Sequence, residues 1–269
     1  VYQNLFFVLF SIYIATNYFI MSKKVAKTLF KDKINIYVSE CLSTNDFLTQ
    51  FIKKNNNEEG VSVISDFQIK GRGQRNNTWY SEKGKNLLFS FFIKPKLSIQ
   101  DQFKLHIITS LSIKKTLDKI GLANVKVKWP NDIYVNEKKI SGILIESQLS
   151  NKKIAQSIIG IGLNVNQKNF NQLNATSIIN ELNHEYDLNK VLKIFCSFFE
   201  KEYIDISKNI NSLKETYKNS LYGLNKTSKF YHKSKMHQGE IIDINSDGAI
   251  IIKVNDRKVK YYFGSISFT

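Results

Sequence analysis

The sequence predicts an α+β domain followed by a small β-barrel. Between about residues 30 and 220, short apolar strands mix irregularly with two long amphipathic stretches, whereas residues 224–269 contain only short strand patterns separated by turns. The 269 residues are enough for one large domain, or for a medium domain and a small one. A hydrophobic content of 42% excludes a disordered chain.

The first elements are strands separated by a short helix. Residues 34–38 and 61–65 show strand patterns, and residues 43–46 offer side chains that favour a helix N-terminus. A continuous apolar run at residues 87–93 ends before Pro95, so we expect a strand that is buried on both faces.

Two amphipathic helices enclose a group of strands in the middle of the chain. Residues 101–120 have apolar positions at helical spacing and end at Gly121, which suits a helix C-terminus. Residues 188–203 repeat the i, i+3, i+4, i+7 spacing. The strands predicted between them are residues 125–129, 132–135, 140–146 and 158–165.

The carboxy-terminal segment changes to short strands and tight turns. Asp247-Gly248 lies between two apolar runs and favours a hairpin. The strands predicted there are residues 239–244, 249–254 and 259–263. We therefore expect a separate small β-barrel.

Residues 1–20 carry no charge and are mostly apolar. About twenty apolar residues can span a bilayer, but this segment lacks a basic start and a small-residue cleavage site, and a typical polar start follows at Met21. We interpret residues 1–20 as an apolar extension outside the native protein; a membrane anchor or docking helix is the alternative. The predicted domains are then 21–220 and 224–269.

Composition bounds the partners and the compartment. Lys and Arg number 39 against 23 Asp and Glu, a net charge of +16 that favours nucleic acid or an acidic partner. The excess is mainly Lys and accompanies abundant Asn and Ile, which is equally typical of a compositional bias. No stacking platform with basic residues stands out, so we expect no nucleic acid. Cys41 and Cys196 fit no metal or disulfide spacing, which predicts free thiols in the cytoplasm.

Two polar motifs are candidates for binding an anion. In residues 71–75, glycines flank an arginine, so the backbone can approach a ligand while guanidinium groups match phosphate oxygens. In residues 128–132, a proline turn leaves Asn131 and Asp132 at a strand end, and Lys139 follows. Asp can hold Mg²⁺ and Lys can neutralise phosphate. Each motif alone is more typical of a solvated turn.

A third motif, residues 160–165, alternates small and apolar side chains within a predicted strand. Small residues open one strand face to close approach by a ligand. The motif is not a dinucleotide fingerprint, because it has no third glycine and no following helix.

Taken in order, the motifs resemble those of biotin protein ligases. The shared pieces are Ser43-Thr44-Asn45, Gln68 before Gly71-Arg72-Gly73-Gln74, Lys128-Trp129-Pro130-Asn131-Asp132, Lys139 before Ser141-Gly142-Ile143-Leu144-Ile145-Glu146, and Gly160-Ile161-Gly162-Leu163-Asn164. Five collinear matches over residues 33–269 argue against coincidence. The resemblance implies a mixed or antiparallel sheet with helices on one side, as in class II synthetases, and an SH3-like barrel.

The resemblance also implies a two-step reaction. ATP activates biotin as biotinyl-5′-adenylate, which then passes to a lysine of a biotin carboxyl carrier domain of acetyl-CoA carboxylase or a related carboxylase. ATP with Mg²⁺ and biotin are the expected small molecules, and no prosthetic group is expected. We expect a monomer or weak homodimer without a membrane partner.

Residue roles follow from the same resemblance. Lys139, Arg72 and Asp132 would carry catalysis, Asp132 would also hold Mg²⁺, and residues 71–79 would cover the adenylate. The implied biotin-binding residues are Ser43, Thr44, Asn45, Gln68, Arg72, Gly73, Gln74, Lys139 and Gly142. The implied nucleotide-binding residues are Gly71, Arg75, Trp79, Asn131, Asp132 and Asn164. Either Asp132 or Lys139 could deprotonate the acceptor lysine.

Two positions depart from the family pattern. Many members have arginine where this chain has Gln74, and glycine where it has Asn76. Gln74 keeps hydrogen-bonding capacity but loses a charge that Arg75 could supply. Asn76 is tolerable because Asn enters the left-handed backbone region more readily than most residues.

Two rival functions stay open. A lipoate ligase shares the fold and the chemistry, although the Gly-Arg-Gly and Trp-Pro-Asn-Asp motifs favour biotin. A biotin-responsive DNA-binding repressor belongs to another class. Only about 12 residues separate Met21 from the first strand, too few for a helical DNA-reading domain, so we expect the monofunctional type.

Overall fold

The computed structural model describes residues 19–20, 29–30, 33–55, 58–204 and 206–268. These residues form two sheets and several helices. The strands are β1 (Phe19–Ile20), β2 (Asn35–Val38), β3 (Ser62–Ser65), β4 (Leu87–Ile93), β5 (Val125–Lys128), β6 (Asp132–Val135), β7 (Lys138–Ser150), β8 (Lys153–Leu163), β9 (Thr227–His232), β10 (Lys235–Ile244), β11 (Ile250–Val254), β12 (Arg257–Tyr261) and β13 (Ile266–Phe268). The α-helices are α1 (Thr44–Lys54), α2 (Phe103–Ile120), α3 (Ile178–Leu182), α4 (Leu188–Ile204) and α5 (Ile206–Asn219).

The main sheet has the order β1-β2-β3-β4-β8-β7-β6-β5. β2 and β3 pair in parallel, and the other neighbours pair antiparallel. The expected mixed sheet in an α+β protein is therefore confirmed.

One face of the main sheet packs against α2 and α4 in an aromatic core. Phe89 and Phe91 of β4 point to this face, and the Phe91 ring lies 4.7 Å from the ring of Phe199 in an edge-on arrangement. α2 is followed by Gly121, whose φ of 108° is the left-handed conformation expected of a glycine after a helix C-terminus.

The expectation of helices on one side is wrong, because α1 covers the opposite face. Leu48 of α1 packs with Phe92 and Ile158, which alternate along their strands with Phe91 and Ile159 of the other core. β4 is apolar on both faces, so both faces need cover. α1 therefore lies on the face that also carries the polar pocket.

The second sheet has the order β12-β11-β10-β9-β13, and its strands pair antiparallel. The predicted SH3-like barrel is not confirmed, because the sheet is open: β12 and β13 stand at its two ends. Its turns pack on the main domain, where the Trp129 Nε1–H donates to Gly248 O at 2.9 Å. The proposed domain boundaries remain predictions.

Two helices were absent from the sequence-based expectation. α5 carries Ile206, Leu213 and Tyr217 as buried residues at helical spacing, so its signal was present in the sequence. α3 is a single short turn with a Ser177 cap, which is too short for a periodic pattern.

The predicted extension lies mostly outside the described residues, which include only Phe19 and Ile20 of it; these two pair with β2. No helix among the described residues is long and apolar enough to cross a bilayer. Cys41 and Cys196 are free and buried, which confirms the prediction of free thiols. Burial raises the pKa of Cys41 to about 11, so this thiol stays protonated at neutral pH.

Candidate active site

A cavity of about 270 Å³ lies between the α1 face of the main sheet and β13. It gathers nearly all residues that the sequence motifs single out, except Gly71 and Asn164. The predicted residues on its wall are Ser43, Thr44, Asn45, Gln68, Arg72, Gly73, Gln74, Arg75, Trp79, Asn131, Asp132, Lys139 and Gly142. Segments far apart in sequence therefore meet in one place.

The N-terminus of α1 forms one wall. Ser43 stands at the N-cap position, but its hydroxyl makes no capping hydrogen bond to the helix. Gln68 Oε1 accepts hydrogen bonds from the Thr44 backbone N–H at 2.7 Å and from the Thr44 hydroxyl at 3.0 Å. The helix N-terminus favours negative charge, which suits a carboxylate or phosphate ligand.

Asn45 is held by one buried partner, Ser90, and one partly exposed partner, Glu146. Its Oδ1 accepts from the Ser90 hydroxyl at 2.7 Å, and its Nδ2 donates to Glu146 Oε2 at 2.7 Å. Gly160 makes room for this amide, because a Cβ there would collide with Asn45 Oδ1. The side chain is thus fixed before any ligand arrives.

Two glycines that pair across β7 and β8 form the pocket floor, Gly142 opposite Gly162. The indole of Trp79 lies flat against them: a Cβ on Gly142 would be 3.0 Å from Trp79 Cζ3, and one on Gly162 would overlap the ring. Trp79 Nε1 is buried without a hydrogen-bond partner among the described residues. The third motif therefore does open a strand face, which the indole covers.

The loop of residues 71–79 has a defined, closed backbone. The Trp79 N–H donates to Gly71 O at 2.8 Å, and the Gly73 N–H donates to Asn77 O at 2.6 Å. A Cβ at Gly71 would overlap Trp79 O, so this glycine serves the loop itself. The left-handed residue of the loop is Arg75, with φ of 53°.

Arg72 projects from the loop to two carboxylates. Its Nη2 lies 2.7 Å from Asp46 Oδ1 and 2.8 Å from Glu146 Oε2. Partial burial disfavours the charged guanidinium, but Glu146 and Asp46 outweigh it and raise the pKa of Arg72 above its usual value. Arg72 is thus a fixed cation at the pocket mouth.

Arg75 connects the loop to the second sheet, because its Nη2 donates to Ile266 O at 3.3 Å. β13 is the end strand of that sheet, and its three residues line the cavity. Arg75 is therefore bonded to the carboxy-terminal sheet. The sequence motifs gave no reason to expect that this sheet forms part of the cavity wall.

Lys139 and Asp132 form an ion pair of 2.7 Å inside the cavity. A β-bulge makes this possible: Ile133 pairs with Ser141 but Tyr134 pairs with Lys139, so Ile140 is the extra residue. The bulge turns Ile140 into the core and Lys139 to the pocket side. Lys139 Nζ also lies 5.5 Å from the centroid of the Trp79 ring.

The two asparagines predicted to contact nucleotide have structural bonds. Asn131 Nδ2 donates to Ile143 O at 2.9 Å and holds the turn after the cis Trp129–Pro130 bond against β7. Asn164 Nδ2 donates to Thr176 O at 2.9 Å, behind the cavity wall. The structure therefore brings Asn131, but not Asn164, to the pocket.

Sequence reasoning missed three polar residues that organise the site: Asp46, Ser90 and Glu146. Ser90 offered a signal, since it is a lone hydroxyl within an otherwise apolar strand. Glu146 ends a matched motif and Asp46 directly follows one, but the pairing of Glu146 with Arg72 spans 74 residues and has no local signature.

Comparisons with known proteins agree with these motifs. The profile of the family described as "Biotin/lipoate A/B protein ligase family" matches residues 38–164. The chain is 27% identical over 233 residues to the bifunctional ligase/repressor BirA of Bacillus subtilis, covering 84% of this chain and 72% of that protein. It is 36% identical over 172 residues to biotin–protein ligase 2 of Arabidopsis thaliana, covering 59% and 50%.

Solved structures give the same result. A biotin protein ligase from Aquifex aeolicus, in complex with biotin and ATP, superposes with a TM-score of 0.74 and 26% identity, over 87% of this chain and 98% of that one. The resemblance inferred from the motifs is thereby confirmed.

Proposed function

Because the chain carries a biotin/lipoate A/B protein ligase family domain, we propose that it is an ATP-dependent ligase that attaches biotin to a lysine of a carrier domain. One observation carries the proposal: the N-terminus of α1, the loop of residues 71–79 and the Lys139–Asp132 pair line the same cavity. The relatives named biotin–protein ligase and the neighbour bound to biotin and ATP support the same substrates.

In the first step, a carboxylate oxygen of biotin bonds to the α-phosphorus of ATP, and pyrophosphate leaves with the electron pair of the broken bond. Negative charge gathers on the α-phosphoryl oxygens in the transition state. Lys139 and Arg72 are cations on the cavity wall that are already oriented by carboxylates. Preorganised charge of this kind is where most of the rate enhancement arises.

Asp132 is the carboxylate that we propose to hold the Mg²⁺ accompanying ATP. Its Oδ1 pairs with the Lys139 ammonium, and the second oxygen of a carboxylate can accept a cation as well. The described residues contain no cluster of three or more acidic, His or Cys ligands. That donor set fits Mg²⁺, which is usually shared between one or two carboxylates, water and substrate phosphates.

In the second step, the amine of the acceptor lysine bonds to the acyl carbon, AMP leaves, and the amine proton passes to solvent or to Asp132. The adenylate is prone to hydrolysis, so water must be excluded before the acceptor arrives. The loop of residues 71–79, closed by its own hydrogen bonds and joined to β13 through Arg75, is suited to that cover.

The direct test incubates the protein with ATP, Mg²⁺, biotin and a carrier domain of acetyl-CoA carboxylase. We expect one biotinylated lysine, detected by mass spectrometry. Lys139→Ala should lose the reaction while keeping the thermal unfolding temperature of the wild type. A wild-type protein that leaves the carrier unmodified would contradict the proposal.

Lipoate is the competing acyl group, since the family name includes it. We expect biotin, and not lipoate, to raise the unfolding temperature, because a ligand that binds the folded state stabilises it by mass action. The acidic partner that the net charge favours, which we take to be the carrier, the cytoplasmic location and the absence of a nucleic-acid partner remain predictions. The +16 charge should speed encounter with such a carrier, an effect that salt suppresses.

A further inference from the structure

We propose that Glu146, assisted by Asp46, is a positioning residue that anchors the binding loop through Arg72 and at the same time fixes Asn45 in the pocket. The inference rests on the proposed function and names residues that the sequence motifs did not assign to the site. Glu146 contacts Asn45 and Arg72 with one carboxylate, so the N-terminus of α1 and the loop of residues 71–79 share a single anchor.

The anchor uses one end of the Arg72 guanidinium. Nη2 donates to Glu146 Oε1 at 3.0 Å and Oε2 at 2.8 Å, and the same nitrogen pairs with Asp46 at 2.7 Å. A guanidinium has five N–H donors on three nitrogens. Nε and Nη1 therefore stay available for an anionic ligand while the carboxylates hold Nη2.

The same carboxylate sets the orientation of Asn45. An Asn amide can turn over and exchange its donor and acceptor ends. With Glu146 Oε2 accepting from Nδ2 and Ser90 donating to Oδ1, one orientation satisfies both ends. Glu146 thus decides which end of the amide the pocket presents.

The charges around the cavity indicate that the pairing of Arg72 with Glu146 and Asp46 has a role in ligand binding. Two carboxylates beside an anion-binding cavity repel a carboxylate or phosphate ligand unless a cation neutralises them. Their side chains are only 39% (Glu146) and 43% (Asp46) exposed, and both face Arg72. Their position is therefore useful to ligand binding only if they act through Arg72.

Loss of the anchor has two expected consequences. The loop of residues 71–79 should open more often, because the Arg72 ion pairs tie it to β7 and α1 and leave, once lost, the packing of Trp79 on Gly142 and Gly162 as its contact with the sheet. Biotin and its adenylate should then escape more readily. A hydrogen bond between charged groups is worth enough for about a tenfold change.

The first measurement needs no activity: hydrogen exchange of the Gly73 and Trp79 amides, whose hydrogen bonds close the loop. We expect Glu146→Gln and Asp46→Asn to raise the exchange rates about tenfold, and Glu146→Asp, which keeps the charge, to raise them less. The matched control is Asp118→Asn, which breaks the exposed Lys114–Asp118 pair on α2. Rates that match the control, or a Glu146→Asp variant worse than Glu146→Gln, would overturn the proposal.

The second measurement is biotin-dependent exchange of labelled pyrophosphate into ATP. Glu146→Gln should raise the KM for biotin about tenfold and change kcat much less, and it should release more AMP when no acceptor is present. A fall in kcat as large as the rise in KM, together with a lower unfolding temperature, would indicate a structural role. That result would contradict the assignment of Glu146 as a positioning residue. Wild-type protein without any exchange would instead refute the proposed function, and the amide measurement would still decide on the anchor.

Discussion

The two faces of the main sheet share strands, but one is packed with apolar side chains and the other combines a small apolar cluster under α1 with the polar pocket. On β8, Ile159, Ile161 and Leu163 enter the aromatic core under α2 and α4, whereas Gly160 and Gly162 alternate with them on the pocket face. On β4, Phe89 and Phe91 enter that core, whereas Ser90 donates to the pocket network. A strand presents successive side chains to opposite faces, so one segment builds scaffold and site at once.

This difference separates stability from binding. The core face gains free energy by burying large apolar side chains. The pocket face gives up that burial at its glycines and places Asn45, Lys139 and Arg72 in fixed orientations. Changes on the core face should therefore alter the free energy of unfolding, and changes on the pocket face should alter binding and rate.

The largest expected effect comes from the core face. Phe91 is fully buried and contacts Phe30, Phe195 and Phe199. Phe91→Ala should lower the free energy of unfolding by about 3–5 kcal/mol, through lost burial and a cavity. Denaturant unfolding measures this, and the biotin affinity of the folded fraction should stay within about twofold, well under 1 kcal/mol. A Phe91→Ala variant that binds biotin more weakly but unfolds at the wild-type denaturant concentration would contradict the assignment of stability and binding to different faces.

An intermediate loss of stability is expected at acid pH, and it arises from His106 on α2. The His106 ring stacks on Phe103 and lies 5.6 Å from Phe263, its Nδ1 is buried without a partner among the described residues, and burial lowers its pKa to about 4. The unfolded chain, with a pKa of about 6.5, binds the proton first as the pH falls. Stability should therefore drop between about pH 6.5 and pH 4, by up to about 3 kcal/mol.

Urea unfolding at several pH values checks the effect of acid, with His106→Gln as the comparison because it cannot titrate. The variant should show a flatter dependence across that range. An identical slope in wild type and variant would show that His106 does not titrate as its surroundings indicate.

The smallest change in stability is expected on the pocket face. In Gly162→Ala the added methyl group overlaps the Trp79 indole, which must move. Overpacking of this kind costs about 1–3 kcal/mol, and here the cost should fall at the lower end because the loop can yield. Ligand binding should weaken more than tenfold, measured by calorimetry with biotin. An unchanged affinity for biotin would show that Gly142 and Gly162 do not form part of the binding site.

The sequence predicted regular elements well and long-range contacts poorly. β4 occupies the predicted residues, and α2 ends before the predicted Gly121, because continuous apolar runs and helix-terminating glycines are local signals. The open second sheet was not predicted, since closure depends on whether its end strands meet. The position of α1 on the pocket face was also missed, since a short amphipathic helix fits either face.

For the site, the motifs predicted which residues line the cavity but not how those residues are held in place. They pointed to Arg72 and Lys139, yet not to the carboxylates that hold Arg72, because pairing over 74 residues leaves no periodic trace. The bulge at Ile140, which turns Lys139 towards Asp132, is likewise invisible in a pattern of alternating residues. Its effect follows only from the register of β6 and β7.

Biotin-dependent exchange of labelled pyrophosphate into ATP, without any acceptor, tests the central claim most directly. Wild-type protein should exchange label only when biotin is present, and lipoate should not replace it. Lys139→Ala should lower the exchange rate by about two to three orders of magnitude, whereas the surface variant Asp118→Asn should match the wild type. Exchange that proceeds without biotin, or at full rate in Lys139→Ala, would contradict the account.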